Sequence, residues 1–239
     1  MKRFLTFLTT LWAALLLAPY TASAHPHVFL EAEVTFVFDD EGLAGIRHRW
    51  VFDEMFTATI LDIVDLNRNG TIDPEEVAVT QQEAFSNLEN YDYFMAIHIN
   101  GERFNVEWVT DFTAEVRDDG KLIYGFLVPC HVAAHSDPKE IKVAVYDETF
   151  YVFIAYGDGN SGFDPFADPM FADPTAPANP GDYDRFAGEA GLPVYDSDIP
   201  LEGPADHFIV QTEVKAAPTM RYFYDEIVPD AFILTFSQS

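Results

Sequence analysis

The chain has 239 residues, with 40 acidic side chains against 13 Lys and Arg, and its formal net charge at pH 7 is −27. A charge of this sign and size repels phosphate backbones, so we expect no nucleic-acid partner. Cys130 is the single cysteine, which excludes an intramolecular disulfide.

The first 24 residues have the pattern of a secretory signal peptide. Lys2 and Arg3 precede an apolar run over residues 4–17, and a small-residue cleavage site ends at Ala24. The run is shorter than a membrane span requires, and no later stretch approaches about 20 apolar residues. We therefore expect cleavage after Ala24, export of a mature protein that begins at His25, and no membrane-spanning segment in that protein.

The expected mature terminus brings together an α-amine and two imidazoles, because its sequence is His25-Pro26-His27. Imidazole nitrogen suits Zn²⁺, Cu²⁺ and Ni²⁺, so His25 and His27 are a candidate transition-metal site. Pro26 has no amide proton, which excludes a square-planar site that uses the second amide. Two alternatives stay open: a brace in which His25 joins a distant histidine, and a terminus that binds no metal.

Alternating apolar residues predict a β-hairpin at the start of the mature chain. Residues 28–38 alternate between two faces, Asp39 to Gly42 supply a turn, and residues 43–52 form the partner strand. His48 alternates with apolar neighbours in the second strand. We expect it to be a packed core residue.

The stretch from Asp65 to Glu76 matches an EF-hand calcium loop at each position that the motif specifies. Oxygen donors fall at loop positions one, three, five, nine and twelve, Gly70 at position six permits the sharp turn, and Ile72 at position eight is apolar. The predicted calcium ligands are five side chains and one backbone carbonyl, from Asp65, Asn67, Asn69, Thr71 (carbonyl), Asp73 and Glu76.

Apolar residues at helical spacing on both sides of this loop predict an EF-hand helix–loop–helix over residues 53–88. Asp73, Pro74 and Glu76 would also begin a helix without metal, as N-cap, first residue and capping-box partner. A helix N-terminus without metal would leave the residues in the first half of the loop unexplained, so we favour the interpretation as a calcium site. Neutral residues at positions three and five, with Arg68 between them, predict weak affinity. No second loop is found to pair with this one, which favours a structural site over a sensor.

The rest of the chain contains further strand-like runs joined by turns at Asn100-Gly101 and at residues 118–120. Strands joined as hairpins, rather than alternating with helices, predict an α+β fold that is mainly antiparallel β and sandwich-like, with the EF-hand segment as an insertion. The predicted strands in this part of the chain cover residues 93–99, 103–116, 121–129, 140–146 and 150–156.

Residues 157–203 are dense in Pro, Gly, Asp and Ala and predict an irregular acidic insertion. Strand character returns at residues 207–214 and 231–236, which we expect to rejoin the sheet. These segments therefore predict one β-rich domain over residues 25–239.

A second candidate cluster lies at Cys130, His131 and His135. On a helix the two histidines would share one face beside the thiol, a loosely specified metal-ligand spacing. The sequence Ser136-Asp-Pro138 favours a turn equally, and no glutamate between the histidines can serve as a zinc-protease base. Both conformations stay open.

Four stretches together resemble a known family: residues 25–29, residues 50–54, the loop 65–76 and residues 145–151. Over about residues 26–156 the chain resembles the domain of unknown function 1007 family. The resemblance implies an exported bacterial protein, described in that family as an uncharacterised periplasmic component of an ABC-type transport system and often encoded near nickel/cobalt or zinc permeases. It implies metal traffic without an established activity.

Our leading hypothesis is a periplasmic accessory protein that Ca²⁺ stabilises and that binds Ni²⁺, Co²⁺ or Zn²⁺ at His25 and His27 for a membrane metal permease. One alternative is a calcium-stabilised protein-interaction module without transition metal. Another is a copper enzyme with a histidine brace. No nucleophile elbow, phosphate loop or dinucleotide fingerprint is present, so we expect no enzyme activity.

Overall fold

The computed structural model describes residues 27–147, 149, 151–157, 199–215 and 231–239. The predicted signal peptide, His25 and most of the predicted insertion lie outside these residues. The elements in chain order are β1 (Val28–Phe38), β2 (Gly42–Phe52), α1 (Glu54–Val64), α2 (Pro74–Thr80), a π-helical turn (Gln81–Phe85), a 3₁₀ segment (Ser86–Phe94), β3 (Met95–Ile99), β4 (Glu102–Phe104), β5 (Thr110–Val116), β6 (Leu122–Ala133), β7 (Lys139–Val145), β8 (Val152–Tyr156), β9 (Leu201–Glu202), a 3₁₀ turn (Ala205–His207), β10 (Phe208–Lys215) and β11 (Ala231–Gln238).

The strands form two sheets. The first has the order β5-β6-β2-β1-β8, with β9 also paired to β1, and the second has the order β10-β11-β7-β3-β4. Among the described pairings, β1 runs parallel to β8 and β9, and the others are antiparallel. The mainly antiparallel β fold predicted from the sequence is confirmed.

The main hydrophobic core of the described residues contains side chains from both sheets. The ring of Phe38 on β1 lies 5.4 Å from that of Phe236 on β11, and Tyr156 on β8 lies 4.5 Å from Phe232. Residues on the inner face of β1 are fully buried, as the alternation predicts, and each large apolar side chain contributes about 1.5–3 kcal/mol by leaving water.

The helical segment connects β2 to β3 and covers part of the first sheet. Phe85 in the π-helical turn is fully buried, with its ring 5.0 Å from Phe126. The sequence predicts that the helical segment ends at residue 88, but its last part, the 3₁₀ segment, ends at Phe94. Asp92, Tyr93 and Phe94 have φ of 50°, 49° and 55°, so the chain turns there and β3 begins at Met95 rather than at residue 93.

The predicted strand 103–116 is two strands in different sheets. β4 pairs with β3 in the second sheet and β5 pairs with β6 in the first, so residues 105–109 cross between the layers. A run of strand-forming residues contains no local signal for such a crossing, which depends on partners far away in the sequence.

Strand β6 is longer than predicted because its partner β2 begins at Gly42, which pairs with Ala133. A Cβ at Gly42 would lie 2.3 Å from the carbonyl oxygen of Val132, so glycine is required for this close approach. The extension carries Cys130 and His131 into the strand.

In the part of the chain that the structure describes, no helix has both the length and the apolar character needed to cross a membrane.

Candidate metal centre

The predicted calcium loop lies between two helices. α1 ends at Val64 and α2 begins at Pro74. Asp53 caps α1, because its Oδ1 accepts the amide of Phe56 at 2.8 Å, and its Oδ2 accepts the amide of Phe29 on β1 at 2.7 Å. The first helix of the pair is therefore attached to the first sheet at its N-terminus.

The first half of the loop curls around side-chain oxygens. Asp65 accepts the amides of Asn69 and Gly70 at 3.1 and 2.8 Å. Asn67 Oδ1 accepts the Asn69 amide at 3.0 Å, and Asn69 Oδ1 accepts the Thr71 amide at 3.0 Å. Gly70 has φ of 80° with open space around its α-carbon, so it is required for its backbone conformation rather than for a close contact. The predicted donors at positions one, three and five therefore all face the loop backbone.

Glu76 joins the two ends of the loop. Its Oε1 accepts the amide of Leu66 at 2.7 Å and its Oε2 accepts that of Asp73 at 2.9 Å. Asp73 Oδ2 accepts the side-chain amides of Asn67 and Asn69 at 2.7 and 2.9 Å. The capping box predicted for α2 is present.

The carboxylate of Glu76 is buried, with 3% of the residue exposed. Among the described residues, the ion pairs formed by Lys, Arg or His do not include Glu76. Two amide hydrogen bonds offset part of the cost of burying this charge, and a buried charge ordinarily has a cationic partner as well. A cation bound there would offset the remaining cost.

Within the described ranges, no group of three or more His, Cys, Asp or Glu side chains is arranged to hold a metal ion. Asp65, Asp73 and Glu76 are the predicted ligands of these types, and the other predicted donors are the amide oxygens of Asn67 and Asn69 and the carbonyl of Thr71. A set of carboxylate, amide and carbonyl oxygens is the kind that Ca²⁺ takes. These residues fit calcium in their chemistry. To bind the ion, the Asp73 carboxylate would give up its hydrogen bonds with the side-chain amides of Asn67 and Asn69.

His27 lies immediately before β1, and its side chain is exposed. Its amide donates to the carbonyl of Tyr151 at 2.9 Å, and the two rings are 5.0 Å apart. Strand β1 begins at Val28, directly after His27. His25 itself lies outside the described residues.

Cys130, His131 and His135 are not brought together as a metal site. The helical alternative for this cluster is wrong, because Cys130 and His131 belong to β6 and His135 follows the strand. Burial raises the pKa of the Cys130 thiol to about 12, opposed by its hydrogen bond with the backbone of His131. A thiol that stays protonated is a poor metal ligand.

His48 is fully buried, as the sequence predicts, and stacks on Phe126 at 5.2 Å. Burial lowers the pKa of His48 to about 3, so it is neutral. Both its ring nitrogens, Trp50 Nε1 and the Tyr124 hydroxyl are buried and have no hydrogen-bond partner. His48 is therefore part of an aromatic core and is not accessible as a ligand.

Asp53 has a structural role that none of the motifs described above identifies. Its position before Glu54 and Met55, at the boundary between a strand and a helical pattern, is the N-cap signal that could identify it. Its second bond, to Phe29, is not visible in any local pattern because the two residues are 24 positions apart.

Comparison with known proteins finds a matching family model and a similar protein. The family model described as "Protein of unknown function (DUF1007)" matches residues 10–165. A protein of Spirochaeta aurantia, described as "Uncharacterized 15.5 kDa protein in trpE 3'region", is 31% identical over 93 residues, which are 38% of this chain and 64% of that protein. The aligned region thus spans less than two thirds of the length of this relative.

Proposed function

The chain belongs to the DUF1007 family, whose description names no activity, and from its own residues we propose that it is an exported protein stabilised by one Ca²⁺ ion in the Asp65–Glu76 loop. The observation that carries this proposal is the buried Glu76 carboxylate, which has no cationic side-chain partner among the described residues. A cation held there would offset the cost of burying the charge.

The ligands would be the side chains of Asp65, Asn67, Asn69, Asp73 and Glu76 with the carbonyl of Thr71. Side-chain oxygens of the first three already face the inside of the loop, where they accept backbone amides. Bound calcium would supply positive charge and hold the two helices together. Three carboxylates and neutral amide donors favour weak binding, with Kd about 10⁻⁴ M.

Calorimetric titration of Ca²⁺ into the protein tests this proposal. We expect one ion per chain, binding at least about tenfold weaker in Glu76→Gln, and wild-type binding in Glu75→Gln, which changes the neighbouring exposed carboxylate. Asn67→Ala removes an exposed ligand and leaves the core unchanged, so its weaker binding separates loss of the site from loss of the fold. Wild-type affinity in both Glu76→Gln and Asn67→Ala would contradict the proposal.

A second candidate function is capture of Ni²⁺, Co²⁺ or Zn²⁺ at His25 and His27 for a membrane metal permease. The observation that favours it is the exposed ring of His27, with a backbone anchored to Tyr151 at 2.9 Å. Calorimetric titration of Zn²⁺ into calcium-saturated protein that begins at His25 tests it. Binding lost in His25→Ala/His27→Ala and kept in His131→Ala/His135→Ala supports this function. Equal binding in the wild type and the first double variant would exclude it.

A further inference from the structure

The outward side of α1 carries large apolar residues among its polar ones, whereas the solvent side of an ordinary surface helix is polar. Met55, Ile63 and Leu66 are 60%, 54% and 69% exposed. With Thr59 and Asp62 they follow the helical spacing that places residues on one side, and Leu66 lies just past the helix end. We call these five residues the outer α1 face.

This face differs from the other exposed apolar side chains of the described residues. Eight large apolar side chains are exposed there, and three of them lie within the twelve residues from Met55 to Leu66. Single exposed apolar residues are ordinary, whereas a group of them marks an interaction surface. The buried side of α1, which includes Ile60 and Val64, already packs on the core, so the outer face is additional to the folding contacts.

The charge around this face is almost entirely negative. Residues 53–100 contain ten acidic side chains against the single arginine Arg68. Glu54 and Asp62 are exposed on α1 itself, beside the apolar residues. A partner that covers the apolar residues therefore meets carboxylates at the edge of the contact, and positive charge on the partner would be complementary.

From these observations we propose that the outer α1 face docks a basic amphipathic helix of another protein. Apolar side chains of that helix would contact Met55, Ile63 and Leu66, and its Lys or Arg side chains would lie near Glu54 and Asp62. A second copy of this chain would bring the same net charge of −27 and be repelled. An anionic lipid surface would be repelled for the same reason. Four residues of this face belong to α1 and the fifth, Leu66, lies in the predicted calcium loop, but none of the five is a predicted calcium ligand.

The test uses a fluorescent synthetic peptide of about 18 residues, made of Leu and Lys with the Leu side chains along one helical stripe. Anisotropy is measured in about 0.15 M salt with Ca²⁺ present, so that diffuse attraction is screened. We expect saturable binding with Kd about 10–100 µM. We expect Met55→Gln/Ile63→Gln to bind at least about tenfold more weakly, because the double variant loses apolar contact and keeps every charge.

Ile209→Gln is the matched control, since Ile209 is 57% exposed on β10 in the other sheet. We expect it to bind as the wild type does, and a Ser/Lys peptide of equal charge to bind at least about tenfold more weakly than the Leu/Lys peptide. Absence of wild-type binding, or equal binding by the α1 double variant, would overturn the proposal. Binding to phosphatidylcholine vesicles that the same double variant abolishes would also overturn it, because the face would then be a membrane contact.

Discussion

Asp53 and Phe29 are joined by two hydrogen bonds. The Asp53 carboxylate accepts the Phe29 amide at 2.7 Å, and the Asp53 amide donates to the Phe29 carbonyl at 3.0 Å. Because the same carboxylate caps α1, one side chain holds the helix that precedes the candidate calcium loop and the strand that follows His27.

We predict that Asp53→Ala destabilises the protein by about 2–4 kcal/mol, because α1 loses its cap and the amide of buried Phe29 loses its hydrogen bond to the carboxylate. Urea unfolding at neutral pH measures this change. Asp39→Ala is the control: Asp39 accepts two amides in an exposed turn, and we expect a loss below about 1 kcal/mol. Equal losses in the two variants would contradict the dual role of Asp53.

The backbone of Gly70 gives a second prediction. Gly70 and Gly101 have φ of 80° and 82° in open surroundings, so Gly70→Ala and Gly101→Ala should each cost about 1–2 kcal/mol through backbone strain. Only Gly70→Ala should weaken Ca²⁺ binding, because the Gly70 amide donates to Asp65 Oδ2 at 2.8 Å and shapes the loop. Thermal unfolding and calcium calorimetry on both variants check this. A similar loss of calcium affinity in both would show that the effect is one of general stability.

His48 predicts acid sensitivity. Its folded-state pKa is about 3, below the ordinary 6.5, because burial disfavours the charged ring. The contribution of neutral His48 to the free energy of unfolding is fully present above pH 6.5. It is lost as the pH falls from 6.5 towards 3, since in this range the unfolded chain takes up the proton and the folded chain does not. Between pH 7.5 and pH 5 this should amount to about 2 kcal/mol.

The measurement compares urea unfolding of the wild type and His48→Phe at both pH values. The variant keeps a ring against Phe126 and has no titrating group, so its stability should fall by about 2 kcal/mol less over the same range. Identical pH dependence in the two proteins would show that His48 is protonated equally in the folded and unfolded states.

Cys130 should be unreactive in the folded protein. Burial raises the pKa of its thiol from 9.0 to about 12, which lowers the thiolate fraction at pH 8 about a thousandfold. We therefore expect alkylation by iodoacetamide to be slow in native protein and fast in urea, with mass spectrometry following the label. Added Zn²⁺ should leave the native rate unchanged, and slowing by Zn²⁺ in the wild type but not in His131→Ala would instead indicate a metal site.

Local patterns in the sequence determined several features of this protein. Period-two alternation predicts β1, β2 and the buried position of His48, because successive strand residues face opposite sides. The capping box at Asp73 and Glu76 is equally local, since both bonds lie within the first turn of α2. The spacing of Asp65, Asn67, Asn69 and Glu76 predicts a calcium site, and that binding stays a prediction.

Tertiary structure decided the features that depend on residues far apart in the chain. Residues 103–116 divide between two sheets because β4 and β5 have different partners, and β6 continues through Cys130 because β2 extends to Gly42 opposite it. Burial of Cys130 in β6 raises the pKa of its thiol, and the attachment of Asp53 to Phe29 joins residues 24 positions apart. Burial and non-local hydrogen bonds arise only when the strands pack together, so no local spacing encodes them.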